Sequence, residues 1–170
     1  MLTKIILSLA GIGLMYYEKV VDENMTAAES ARKEYKASCD MKVDLLFTEQ
    51  EFSCSTILKS DYAVGFGFLQ NVNIYEFSAN VLPVDSPFIQ PNYVYGLWHY
   101  ILQLFVAILG DASLSRTLSV GGIGASVYFT YAMIKLEAMC LACIICHFIN
   151  VAFFVLDTAK PAAPEKLKRH

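Results

Sequence analysis

Apolar residues in this chain run in long blocks rather than in the narrow stripes of soluble helices. Between Asp85 and Asp111 lie 25 residues without Asp, Glu, Lys or Arg; between Arg116 and Lys135 lie 18, and between Glu137 and Asp157 lie 19. Their densest parts are Tyr93–Leu109, Thr117–Ile134 and Ala138–Leu156. At about 1.5 Å per residue, helices of this length reach roughly 26–29 Å, which suits a hydrocarbon core of about 27 Å. Soluble helices keep a charged stripe, so the blocks predict three membrane spans rather than three helices buried in a soluble bundle. A weaker block follows Lys4: thirteen apolar or small residues, Ile5–Tyr17, end at Glu18 and Lys19. It predicts a retained first helix near residues 3–21, with Lys19 snorkelling to the surface. The other reading is a signal peptide, whose core has a similar length. Spans are therefore expected near 3–21, 93–109, 117–134 and 138–156.

Composition agrees. Of the 170 residues 56% are hydrophobic and only 17% charged, against about 25% charged in an average soluble domain. Thirteen bases against sixteen acids leave a formal charge of −3, so there is no basic footprint for nucleic acid. Segment 22–91 holds eleven acids and five bases, whereas the tail 158–170 holds Lys160, Lys166, Lys168 and Arg169 against Glu165 alone. Lys and Arg favour the cytoplasmic side. Both ends are thus expected in the cytoplasm and segment 22–91 in the lumen. Lys166 and Lys168, within the final five residues, look like a dilysine retrieval signal and predict a multi-pass protein of the endoplasmic reticulum membrane. Asn24-Met25-Thr26 matches a glycosylation sequon, expected to be unused so near the membrane.

Residues 22–38 are polar and good helix formers, and predict a continuation of the first helix. Residues 39–91 are loop-rich, with too little bulk for a core of their own, and are expected to fold down as a cap on the luminal mouth. Gly65-Phe66-Gly67-Phe68 permits a close turn that presents rings. Gly121, Gly122, Ala125 and Ser126 supply small-xxx-small spacing for tight packing.

Five cysteines carry the candidate chemistry. Cys140-Leu141-Ala142-Cys143 is a C-x-x-C at the luminal start of the last span, and Cys39 and Cys54 sit in the cap. Cysteines in an oxidising lumen form disulfides or cycle through them, so Cys39 and Cys54 are read either as a staple or as redox partners. The C-x-x-C sulfurs, three residues apart and about two residues inside the span, are close enough for an easily reduced disulfide. With Cys140 and Cys143, His147 and Asn150 share a helix face about 80° wide, with Cys146 at its edge. Such a stripe in a membrane helix should face the bundle interior and is a functional candidate. His99 and Gln103 on the second span are possible interior partners. Cys143–His147 also matches the C-x-x-C-H of haem attachment, and Cys140, Cys143 and Cys146 match the start of a ferredoxin-like run. The first motif is embedded in an apolar helix and the second lacks its fourth cysteine, so no metal is expected.

Taken in order, Ser38-Cys39-Asp40, Ser53-Cys54-Ser55, Gly65-Phe66-Gly67, Asn92, Cys140–Cys143, Ile149-Asn150-Val151 and the basic end resemble the vitamin K epoxide reductase family. The resemblance implies an all-α membrane protein: a four-transmembrane-helix bundle enclosing a quinone, with a luminal cap of loops and short helices. It makes residues 1–157 one membrane domain and 158–170 a cytoplasmic tail. It also implies roles. Cys140 and Cys143 form the redox centre, with Cys143 facing the quinone or epoxide. Cys140 exchanges with Cys54, and Cys39 takes electrons from a luminal thioredoxin-fold partner or a small dithiol. Asn92 and His147 contact the substrate, while Phe66 and Leu58 line its pocket. Vitamin K quinone and epoxide are substrates by this likeness, and no tightly bound cofactor is expected.

The implied reaction is thiol-dependent reduction of vitamin K 2,3-epoxide to the quinone, and of quinone to hydroquinone. The alternatives are a thiol oxidase that uses the quinone to make disulfides in luminal proteins, and a non-catalytic scaffold with Cys39–Cys54 as a fixed staple. Three departures from the family pattern stand out. Fourteen residues separate Cys39 from Cys54, more than in vertebrate members, and residues 70–90 also look expanded. His147 stands where those members carry tyrosine, a change expected to bear on inhibitor binding and on the choice of epoxide over quinone.

Overall fold

The computed structural model describes residues 1–31, 37, 39–45, 48–65 and 90–159. Helix α1 (Leu2–Ser30) runs through the weak apolar block and on into the polar stretch beyond it as one unbroken element. An antiparallel hairpin follows, β1 (Met41–Leu45) and β2 (Thr48–Phe52), with Met41 opposite Phe52 and Leu45 opposite Thr48. Next come a short helix α2 (Cys54–Leu58) and a 3-10 turn at Asp61–Ala63. The chain then enters α3 (Asn92–Leu109), α4 (Ala112–Lys135) and α5 (Leu141–Thr158), each long and apolar enough to cross a membrane.

Local chemistry sets the turn between α3 and α4. Gly110 takes a left-handed conformation (φ 75°) that ends α3, where a side chain would be strained. Asp111 then caps α4, accepting the N–H groups of Ser113 at 2.9 Å and Leu114 at 3.0 Å. A link this short makes the two helices antiparallel neighbours.

The four long helices form a ring: α1 packs on α3 and α5, and α4 packs on α5 and α3. Polarity is inverted relative to a soluble bundle. Ser8, Gln103, Ser115, Ser119, Ser126, Asn150 and Asp157 are buried, while Trp98, Phe105, Val127, Ile134 and Phe148 lie on the outside, the last two 71% exposed. An apolar exterior around buried polar groups is the arrangement a lipid solvent selects.

The end of the ring away from the cysteines is tied by ionic and hydroxyl contacts. Lys4 of α1 pairs with Asp157 of α5, which also accepts from Ser115 at 3.0 Å and from Ser119, both of α4. Gln103 of α3 donates to Ser119 at 3.4 Å. Gln103, expected beside the C-x-x-C face, therefore serves this knot instead.

The hairpin departs from the expected cap of loops and short helices. It is built from the insert between Cys39 and Cys54. Met41, Val43 and Leu45 alternate with Lys42 and Asp44, a strand period that the helical reading passed over. At its end Phe52 bridges Met139, and the Ser53 N–H donates to the Met139 carbonyl at 2.7 Å. Phe66 and the rest of the segment expected to turn after Gly65, residues 70–89 and the basic tail from Lys160 lie outside the described residues.

Candidate active site

Two segments meet where the hairpin touches the start of α5. Cys39 and Cys54 are joined as a disulfide, both buried. Asp40 holds the loop around them, accepting from Ala37 N–H at 3.2 Å, Ser55 N–H at 3.1 Å and the Ser55 hydroxyl at 2.6 Å. Ser53 caps α2 by accepting the Thr56 N–H. Cys140 does not sit inside the last helix, as its sequence position suggested; it is the N-cap of α5. Its Sγ accepts the Cys143 N–H at 3.3 Å. A sulfur at a helix N-terminus faces the positive end of the helix dipole, which favours thiolate. The Ser53–Met139 main-chain bond joins the residues just before Cys54 and Cys140, and it brings their sulfurs to 3.5 Å.

Below this contact lies a cavity of about 750 Å³, bounded by all four long helices and roofed by Leu58, Val64 and Gly65. Its size is that of a small-molecule site. Cys143, Cys146, His147 and Asn150 line it from α5, so the stripe expected to face the interior does so. Cys143 is half-buried on the wall while Cys140 is buried at the roof. The segment Cys143–His147 is helical throughout. Asn150 ties three helices together: it accepts from Tyr100 Oη at 3.0 Å and donates to the Gly122 carbonyl at 3.1 Å and to Ser126 Oγ at 3.0 Å. A Cβ on Gly122 would crowd Asn150 and His99 at 3.2 Å.

The other candidate residues fall as follows. Leu58 and Asn92 line the cavity from the roof and from the first turn of α3. Asn92 also donates to the Tyr62 carbonyl, and the Tyr62 ring meets Tyr128 and Tyr131 with centroids 6.4 and 6.5 Å away. It thereby fastens the roof to α3 and α4, and its second amide hydrogen is available to a ligand. His147 approaches Thr130 Oγ1 at 3.4 Å through Nε2, while its Nδ1 is buried and has no partner among the described residues. His99 lines the cavity, and its Nε2 is likewise buried with no partner among the described residues.

The arrangement is a thiol held against a disulfide at the roof, with a second thiol facing an apolar cavity. The profile of the Vitamin K epoxide reductase family matches residues 2–158. The chain belongs to that family. It is 27% identical over 161 residues to vitamin K epoxide reductase complex subunit 1 of Rattus norvegicus, covering 92% of this chain and 88% of that one. Membership in the vitamin K epoxide reductase family and the three apolar helices make this a multi-pass membrane oxidoreductase with a cysteine redox centre.

Sequence reasoning missed two features of the site. Tyr100 was passed over as one ring among many in an apolar span. Glu18 was read only as the end of an apolar block, yet it lines the cavity. An acidic residue within a membrane helix is itself a signal.

Proposed function

We propose that the protein reduces vitamin K 2,3-epoxide to the quinone, and the quinone to hydroquinone, in the endoplasmic reticulum membrane. In this reading α1 is a fourth span, and the hairpin and α2 belong to a luminal cap. The observation that carries the proposal is the stacking of three sulfur positions: Cys54 at the disulfide, Cys140 against it, and Cys143 on the cavity wall.

Electrons enter when a luminal thioredoxin-fold protein or a small dithiol reduces Cys39–Cys54. The Cys54 thiolate then attacks an oxidised Cys140–Cys143 pair at Cys140, and exchange leaves both residues of that pair as thiols. Cys143 attacks the substrate ring, and Cys140 resolves the adduct into the Cys140–Cys143 disulfide. For the epoxide, two thiols are oxidised and the ring oxygen leaves as water; for the quinone, the same two electrons and two protons give hydroquinone. Asn92 and His147 serve as hydrogen-bond partners for substrate oxygens, while Leu58 provides an apolar wall, the role that the family resemblance also gives to Phe66.

The test is turnover of vitamin K epoxide with a dithiol by the purified protein beside its Cys140→Ala and Cys143→Ala variants. The reductase reading expects consumption by the wild type and none by the Cys143 variant. Oxidation of a dithiol at the expense of quinone alone would replace it with the thiol oxidase reading, in which the same centre runs toward disulfide formation.

A further inference from the structure

Glu18 lies a little past the middle of α1, on the side of the helix that faces the sulfurs. Leu14, Tyr17, Val21 and Met25 pack against the cluster of Cys39, Cys54, Cys140 and Cys143. Glu18, four residues after Leu14 and three before Val21, shares that face and lines the cavity. Cys140, Cys143 and Cys146 line the same cavity.

Among the described residues no cation pairs with it. Of the two lysines of α1, Lys4 pairs with Asp157 at the far end and Lys19 with Glu23 at 3.6 Å. Among the described residues Glu18 has neither an ion pair nor a hydrogen bond. An uncompensated carboxylate inside a membrane bundle is costly, so the group is suited to hold a proton rather than a charge. The reaction needs such a group. Oxidising two thiols releases two protons in an apolar cavity, and the reduced substrate must take up two on oxygen.

We propose that Glu18 is the general acid of substrate reduction, carrying a thiol proton to the substrate oxygen; this rests on the reductase reading above. With a quinone, the Cys143 sulfur bonds to the ring and the Glu18 carboxyl protonates the carbonyl oxygen that receives the electron pair. Cys140 then attacks the Cys143 sulfur, the carbon–sulfur bond breaks, and its electron pair passes to the ring. The Cys140 thiol proton returns to the Glu18 carboxylate, and the proton given up by Cys143 reaches the second oxygen. Two S–H bonds are lost, one S–S and two O–H bonds are gained, and Glu18 ends as it began.

The experiment measures kcat and KM for the quinone and the epoxide, with a dithiol, using the full chain in lipid nanodiscs. Wild type is compared with Glu18→Gln, Glu18→Met and Glu18→Asp. Removing a general acid costs about a hundredfold or more in rate. Gln and Met should lower kcat by that much with little change in KM, and Asp should recover part of it. Reduction of the Cys39–Cys54 disulfide by the dithiol should be unchanged in all three. Met replaces a buried acid by an apolar chain of similar length, so it retains the fold even where Gln does not. Wild-type kcat in a folded Gln or Met variant would overturn the inference while leaving the reductase reading standing. A wild-type protein inert toward both substrates would remove that reading, and this inference with it.

Discussion

The Sγ of Cys140 lies 3.5 Å from the Sγ of Cys54 while Cys54 is still joined to Cys39. A thiol in contact with a disulfide sulfur is the geometry from which exchange proceeds. The contact depends on two backbones held in register by the Ser53–Met139 hydrogen bond, rather than on side-chain flexibility.

That register predicts a trapped intermediate. In a Cys39→Ala/Cys143→Ala variant, Cys54 and Cys140 have lost their other partners and should oxidise to each other. Mass spectrometry of the non-reduced protein should find the Cys54–Cys140 crosslink as the main species. A dominant Cys54–Cys146 or Cys140–Cys146 product would show that the contact is not the working one.

The relay also predicts a bypass. Cys39→Ser and Cys54→Ser variants should lose turnover driven by a thioredoxin-fold protein, which in the proposed relay delivers its electrons through Cys39. A small membrane-permeant dithiol should still support turnover at a substantial fraction of the wild-type rate. Equal loss with both reductants would mean that the pair acts only as a staple.

At the opposite end of the bundle, Asp157 is buried and serves Lys4, Ser115 and Ser119. Asp157→Ala leaves Lys4 without its anion, and breaking a buried pair in this way costs about 3–5 kcal/mol. Thermal unfolding in detergent should show a large fall in midpoint. The double change Lys4→Met/Asp157→Leu, which removes both charges together, should recover most of it.

His147 has one ring nitrogen near Thr130 and the other buried beside the cavity, with no partner among the described residues. His147→Tyr replaces two ring nitrogens with a hydroxyl placed further from the backbone. The ratio of epoxide to quinone turnover should change, with the Cys54–Cys140 exchange unaffected. An unaltered ratio would exclude His147 from substrate contact.

Much of the molecule could be read along the chain because a membrane imposes simple periodic demands. Charge-free blocks must be helices, since lipid offers the backbone no other partner, and the observed helices coincide with those blocks to within a few residues. The same reasoning carried the α5 stripe: Cys143, His147 and Asn150 are the few polar or sulfur groups on an apolar helix, and they face inward. The hairpin was less legible. Its alternation spans only five residues, Met41–Leu45, and competed with a composition that suggested loops. Gln103 was misplaced for another reason. Helical phase shows that it points inward but not which neighbour it meets, and α4 supplied Ser119.

From its residues alone this protein is a multi-pass membrane protein with a C-x-x-C at the start of its last apolar block, because hydropathy and spacing are local properties that survive without a fold. The sequence could not say that Cys140 caps α5 rather than extending it, or that it meets Cys54 across 86 positions of chain. Nor could it bring the uncompensated carboxyl of Glu18 to the wall that Cys143 shares. Those facts come from how four helices close around a common space. Contact between distant residues depends on the summed packing of every helix in the ring, which no local pattern encodes.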